Sequence, residues 1–132
     1  MSHNRRGHNH DSESPIKAVQ VCSNAQNAIL KIKKFKASPG NSKEYVNHLR
    51  DEIVKSMGTV FLFLLNAENN KSIDAKIESL YAALNEIRLV LIYLATAAKI
   101  SAIKVKTGIH ISYMLHDLQD SIKHWIKYIE NK

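Results

Sequence analysis

The 132-residue sequence predicts an all-α fold, an up-down-up-down four-helix bundle, on two observations. Apolar residues recur every three or four positions over most of the chain, which is the period of one face of a helix. Residues that start or end helices divide this pattern into four segments of similar length. Helices of matched length joined by short loops pack as antiparallel neighbours, and no segment shows a convincing strand pattern.

The first segment, residues 1–14, is polar and contains no large apolar residue after Met1. Such a segment cannot offset the entropy lost on ordering, so we expect a disordered tail. A structured metal site needs three or four convergent ligands on a fixed scaffold. The tail histidines could hold a metal ion only weakly, and we predict no metal site. They are His3, His8 and His10.

The rest of the chain, residues 15–132, is predicted to form the bundle as one domain. The start signals are Ser14 before Pro15, then Asn41 or Ser42, and Ser72. Pro39 and Gly40 end the first helix, and a polar run at 68–71 separates the second helix from the third. The predicted helices are residues 15–37, 42–66, 72–99 and 102–130.

Two tracts, residues 60–65 and 89–94, consist entirely of apolar side chains. A surface helix of a monomer would show a polar face there, and an exposed apolar patch usually marks an interface. A central helix covered by its neighbours is the alternative, but four helices cannot easily give complete cover. We therefore favour self-association. The predicted core or interface residues are Phe61, Phe63, Leu65, Leu89, Leu91, Tyr93 and Trp125.

The chain is basic, with 19 Lys and Arg against 12 Asp and Glu, a formal net charge of +7 and a pI near 9.5. This surplus favours a polyanionic partner such as RNA, DNA or an acidic protein. The single cysteine, Cys22, excludes an intramolecular disulfide and fits a reducing compartment. The N-terminus does not read as a signal peptide, and the longest apolar run is half of what spans a membrane. We expect a cytoplasmic protein with no membrane partner.

The charge is concentrated in two acid-free stretches, residues 14–43 and 87–116. In an up-down bundle the end of the first helix, the start of the second, the end of the third and the start of the fourth lie together. This end is called the basic pole. Lysines there could complement helix dipoles, but that explains only one or two per helix end. A phosphate-binding surface explains more of them. The predicted nucleic-acid-binding residues are Lys31, Lys33, Lys34, Lys36, Lys43, Arg88, Lys99, Lys104 and Lys106.

Catalytic motifs are missing from the sequence: the four glycines are scattered, and neither HExxH nor CxxC occurs. His110, Tyr113 and His116 could share one helix face, but no carboxylate cluster accompanies them. We therefore predict a protein that is not an enzyme and has no cofactor.

Two stretches resemble a known family: KIESLYAALNEIRLVLIYLA and LHDLQDSIKHWIKYI. They resemble the accessory variability determinant (Avd) proteins of diversity-generating retroelements, over about residues 42–130. The residues that carry the resemblance are Leu80, Tyr81, Ala82, Ala83, Arg88, Leu115, Ile122, Trp125 and Ile126.

The resemblance implies a ring-like homo-oligomer, a homopentamer, of a basic four-helix bundle. Such a protein would bind the element's reverse transcriptase and its template RNA and support mutagenic cDNA synthesis, with no catalytic residues of its own. One alternative is a four-helix protein of the ribosomal RNA intervening-sequence type. Another is a helical protein-interaction adaptor that binds no nucleic acid.

Overall fold

The computed structural model describes the backbone of residues 2–132 and the side chains of residues 15–132. Between residues 2 and 132 the chain forms four α-helices and no strand, so the predicted all-α class is confirmed. The helices are α1 (Ser2–Leu30), α2 (Lys43–Asn69), α3 (Ile73–Lys99) and α4 (Val105–Glu130).

The start of α1 differs from the prediction. The backbone of residues 2–14 is helical, and Pro15 lies inside the helix instead of at its start. Once a helix exists, each added residue gains one hydrogen bond without the cost of a new nucleus, so a polar segment can extend it. Pro15 opposes this extension, because it removes one backbone donor and its ring crowds the carbonyl four residues before it. The side chains of the three tail histidines lie outside the described residues.

The end of α1 also differs, because the helix stops at Leu30 and not at residue 37. Residues 31–42 form an irregular connection, called the strap here. A helix would place the strap lysines three residues apart on one face, where like charges repel. In the strap Phe35 is buried instead, and the Lys36 N–H donates to the Ala102 carbonyl at 2.9 Å. Tertiary contacts therefore replace the last turns of the predicted helix.

The serine caps of the next two helices are confirmed. The Ser42 hydroxyl oxygen accepts from the Tyr45 N–H at 3.0 Å, and the Ser72 hydroxyl oxygen accepts from the Ala75 N–H at 3.3 Å. Each cap satisfies one of the backbone donors that a helix start leaves without a partner. The bounds of α2 and α3 consequently stay within three residues of the prediction.

Each helix packs against two of the others. In the described part of the chain α1 contacts α2 and α4, α3 contacts the same two helices, and neither diagonal pair is in contact. The strap that follows α1 meets the end of α3 and the start of α4 at the basic pole. At the other pole Pro15 of α1 lies near the end of α2, the start of α3 and the end of α4. This arrangement is compatible with an up-down-up-down bundle.

The core is a single cluster to which all four helices and the strap contribute. Trp125, which the spacing of α4 places on its apolar face, is only 3% exposed. The two apolar tracts are not fully covered, because Leu62 is 64% exposed and Ile92 is 61% exposed. Leu89 is also exposed, and the other predicted core or interface residues of the tracts are partly buried: Phe61, Phe63, Leu65, Leu91 and Tyr93.

By length and composition alone, α3 could cross a membrane. It is the one helix in the described residues that passes this test, which core helices of soluble proteins also pass. In this structure α3 packs against α2 and α4 along a buried face.

Replacing Trp125 with alanine should lower the free energy of unfolding by about 3–5 kcal/mol, because it leaves a large cavity in the core. Denaturant unfolding followed by circular dichroism measures the change. Tyr45→Ala is the matched control, since Tyr45 is an exposed aromatic residue of α2 and its loss should cost less than about 1 kcal/mol. Equal losses in the two variants would contradict the burial of Trp125.

Candidate nucleic-acid interface

The strap presents its lysines on both sides of a buried aromatic residue. Phe35 is buried, whereas its neighbours Lys34 and Lys36 are exposed to the solvent. Arg50 of α2 fixes the start of the strap, because its Nε donates to the Ile32 carbonyl at 2.7 Å. The orientation of the two lysines therefore depends on contacts with the core and not on a helix.

The far end of the strap is fixed to the connection between α3 and α4. The Ser38 hydroxyl donates to the Ile100 carbonyl at 3.3 Å, in addition to the bond between Lys36 and Ala102. The strap consequently spans from α2 to the α3–α4 connection across the basic pole.

Between the strap and that connection lies an open groove of about 530 Å³, called the lysine groove here. Lys34 and Lys36 come from the strap, and Lys104 comes from the residue before α4. Apolar side chains form much of the remaining wall: Ile32, Ala98, Ala102, Ile103 and Val105. No carboxylate of residues 15–132 lines the groove, so their side chains combine an apolar wall with three ammonium groups.

A strained residue shapes one wall of this groove. Ser101 has a φ of 62°, in the left-handed region that favours glycine. Its N–H donates to the Ala98 carbonyl at 3.1 Å, and the Ala102 N–H donates to the Ala97 carbonyl at 2.8 Å. These two bonds form a Schellman motif. The motif ends α3 and turns the chain so that Lys104 enters the groove.

The other lysines of the basic pole surround the groove. Lys31 and Lys33 lie in the strap, Lys43 begins α2, Lys99 ends α3 and Lys106 lies in the first turn of α4. All are exposed. Among residues 15–132 the only ion pairs are weak contacts within α2, His48 with Glu52 and Arg50 with Asp51, each at 4.0 Å.

Arg88 does not belong to this group. It is exposed on α3, eleven residues before Lys99, which corresponds to about 16 Å along the helix axis. The structure therefore places eight of the nine predicted nucleic-acid-binding residues at one pole and Arg88 on the flank.

The opposite pole carries side chains of both charges. The acidic side chains Glu68, Asp74, Glu78 and Glu130 are exposed at or near it. However, Lys71, Lys76 and Lys132 line a pocket there together with Trp125. The two poles thus differ because one carries lysines almost alone, whereas the other carries both signs of charge.

Other reactive side chains show no assembled site. Burial raises the pKa of the Cys22 thiol to about 12, so it stays protonated at neutral pH and is a poor nucleophile or metal ligand. Within the described residues no three His, Cys, Asp or Glu side chains converge as metal ligands would. His116 Nδ1 lies 3.0 Å from Gln119 Oε1, one turn further along α4.

Sequence reasoning missed the residues that hold the groove open. Neither Arg50 nor Ser101 belongs to a recognisable sequence motif. The role of Arg50 depends on its bond to a carbonyl far along the chain, and that of Ser101 depends on its left-handed backbone.

Comparison of the chain with family models, with curated proteins and with solved structures found no match. The groove is therefore interpreted from its own geometry and charge.

Replacing Ser101 with glycine should raise the free energy of unfolding by about 0.5–1 kcal/mol, because glycine adopts the left-handed backbone without strain. The greater conformational entropy of glycine in the unfolded chain offsets only part of this gain. Thermal and denaturant unfolding measure the change. Ser112→Gly is the control, because Ser112 lies inside α4 and glycine there should destabilise by about 0.5–1 kcal/mol. Destabilisation by Ser101→Gly would show that the motif is not strained.

Proposed function

We propose that this protein is a non-catalytic, basic accessory protein that binds template RNA and a reverse transcriptase and supports mutagenic cDNA synthesis in a diversity-generating retroelement. The observation that carries the nucleic-acid part is the lysine groove with the lysines around it. Three ammonium groups line one open groove, and no carboxylate from the described side chains, residues 15–132, lies among them. Phosphate contacts need positive charge at the surface and no special base geometry.

The number of lysines at the basic pole favours a polyanionic polymer over a small anion as the ligand. Eight exposed lysines occupy this pole, and a chain of phosphates can contact many of them at once. Each contact releases counterions, so affinity grows with the number of contacts and falls with salt. The groove has no aromatic lining, which favours contact with the phosphate backbone over stacking with bases.

The Avd resemblance supports the remaining parts of the proposal: RNA as the nucleic acid, the reverse transcriptase partner, a homopentamer and action inside the cell. The exposed apolar residues at the starts of α3 and α4, among them Ile73, Ile109 and Tyr113, support self-association. The same exposed residues would also suit a helical interaction adaptor, which is the second candidate. An adaptor of that kind would not bind RNA at physiological salt.

The triple variant Lys34→Gln, Lys36→Gln, Lys104→Gln should weaken binding of single-stranded RNA at least about tenfold at low salt. Loss of three phosphate contacts should also lower the slope of log affinity against log salt by about 2. Fluorescence anisotropy over a salt series measures both quantities.

The control for this variant removes the same charge elsewhere: Lys55→Gln, Lys123→Gln, Lys127→Gln. These lysines are exposed on α2 and α4 and lie outside the groove. This control should keep most of the affinity and the slope. Equal losses in the two triples would mean that net charge alone binds RNA, and no binding by the wild type would favour the adaptor.

The oligomer part is tested by the mass in solution. A homopentamer should have five times the 15.0 kDa of the chain, and sedimentation velocity or mass photometry measures it. A monomer at micromolar concentration would contradict self-association.

A further inference from the structure

The first two turns of α3 carry an exposed stripe that is apolar and acidic. Ile73, Ile77 and Tyr81 follow one another at intervals of four residues, which places them along one side of the helix. Asp74 and Glu78 lie beside them and are exposed. Ile73 and Tyr81 are about half exposed, and Ile77 is partly buried. These five residues are called the acidic stripe.

The first two turns of α4 carry a matching stripe that is apolar and basic. Val105, Ile109 and Tyr113 have the same spacing, and Lys106 and His110 lie beside them. All five are exposed, and Tyr113 at 71% is the most exposed large apolar residue of the described chain. These residues are called the basic stripe.

The two stripes correspond position by position. The first, fifth and ninth residues of each helix are a β-branched residue, an isoleucine and a tyrosine. The second and sixth residues are acidic in α3, Asp74 and Glu78, and are Lys106 and His110 in α4. Equivalent positions therefore combine similar apolar side chains with opposite charge at Asp74 and Lys106, and with a carboxylate and an imidazole that can form a hydrogen bond at Glu78 and His110. Two surfaces of this kind are complementary.

The stripes cannot meet within one chain. Because α3 and α4 pack as antiparallel neighbours, their starts lie at opposite poles, about 40 Å apart for a helix of this length. Lys76, the lysine nearest in sequence to the acidic stripe, does not neutralise its carboxylates. Its Nζ donates instead to the Ala67 carbonyl of α2 at 2.7 Å. Each stripe is thus open to a second molecule.

We propose that the acidic stripe of one copy docks on the basic stripe of another copy. Burial of the apolar side chains supplies the favourable free energy, and the flanking charges select the pairing and its register. Because every copy carries both stripes, it can contact two neighbours, which a closed ring requires. The inference rests on the self-association in the proposed function and specifies which surfaces make it.

This assignment divides the basic pole between two partners. Lys106 contacts protein, whereas Lys34, Lys36 and Lys104 in the lysine groove remain free for RNA. Val105 lies at the boundary, because it belongs to the groove wall and to the basic stripe. The lysines of the groove and the residues Ile109 and Tyr113 of the stripe are separate, so RNA binding and self-association can be lost separately.

Two variants of the full chain test the docking. Ile109→Asp with Tyr113→Asp places acids on the basic stripe, and Ile73→Lys with Tyr81→Lys places lysines on the acidic stripe. All four side chains are exposed, so circular dichroism should show unchanged helicity. Each variant alone should sediment as a monomer, because it has lost one of the two surfaces. An equimolar mixture should form a complex of two chains, since each variant keeps the surface that the other one needs.

The control, Leu62→Asp with Ile92→Asp, changes exposed apolar residues outside both stripes and should keep the wild-type mass. A mixture that stays monomeric, single variants with wild-type mass, or a monomeric control would overturn the stripe assignment while leaving self-association intact. A monomeric wild type would overturn both the stripes and self-association. RNA binding by the lysine groove, measured in parallel, would survive each of these results.

Discussion

Burial of Phe35 is the constraint on which the basic pole depends. This side chain lies between lysines on both sides, and it packs into the core from the strap that follows the end of α1 at Leu30. Backbone and side-chain bonds to the start of α2 and to the α3–α4 connection hold the strap in that path. The apolar residue therefore orients the charged ones, and packing and charge at this pole form one arrangement.

Most of the fold could be predicted from the sequence, because its signals are local. Ser42 and Ser72 cap the helices that they were expected to cap, and the spacing around Trp125 placed it on the buried side of α4. The end of α1 could not be predicted, since Ile29, Ile32 and Phe35 keep a helical period whether or not the backbone is helical. Bonds to residues far along the chain decide between the two conformations, and such bonds leave no local pattern.

The candidate site was predictable in its location but not in its form. The up-down topology alone brings the ends of α1 and α3 to the starts of α2 and α4, which is why acid-free stretches far apart in sequence converge. The form of the groove between them depends on the left-handed backbone of Ser101 and on the hydrogen bonds of the strap. No pattern of residue types in the sequence predicts these two features.

The pattern of burial along the strap has a consequence for how this protein can vary. Between residues 31 and 40 the buried or partly buried positions are Ile32, Phe35 and Ser38, and the lysines between them are exposed. Backbone or side-chain bonds hold Ile32 and Ser38 at the two ends of this stretch. A residue inserted next to Phe35 would therefore either break one of these bonds or shift a lysine into a buried position. The length of this short connection is thus restricted as tightly as its composition, which is unusual for a surface loop.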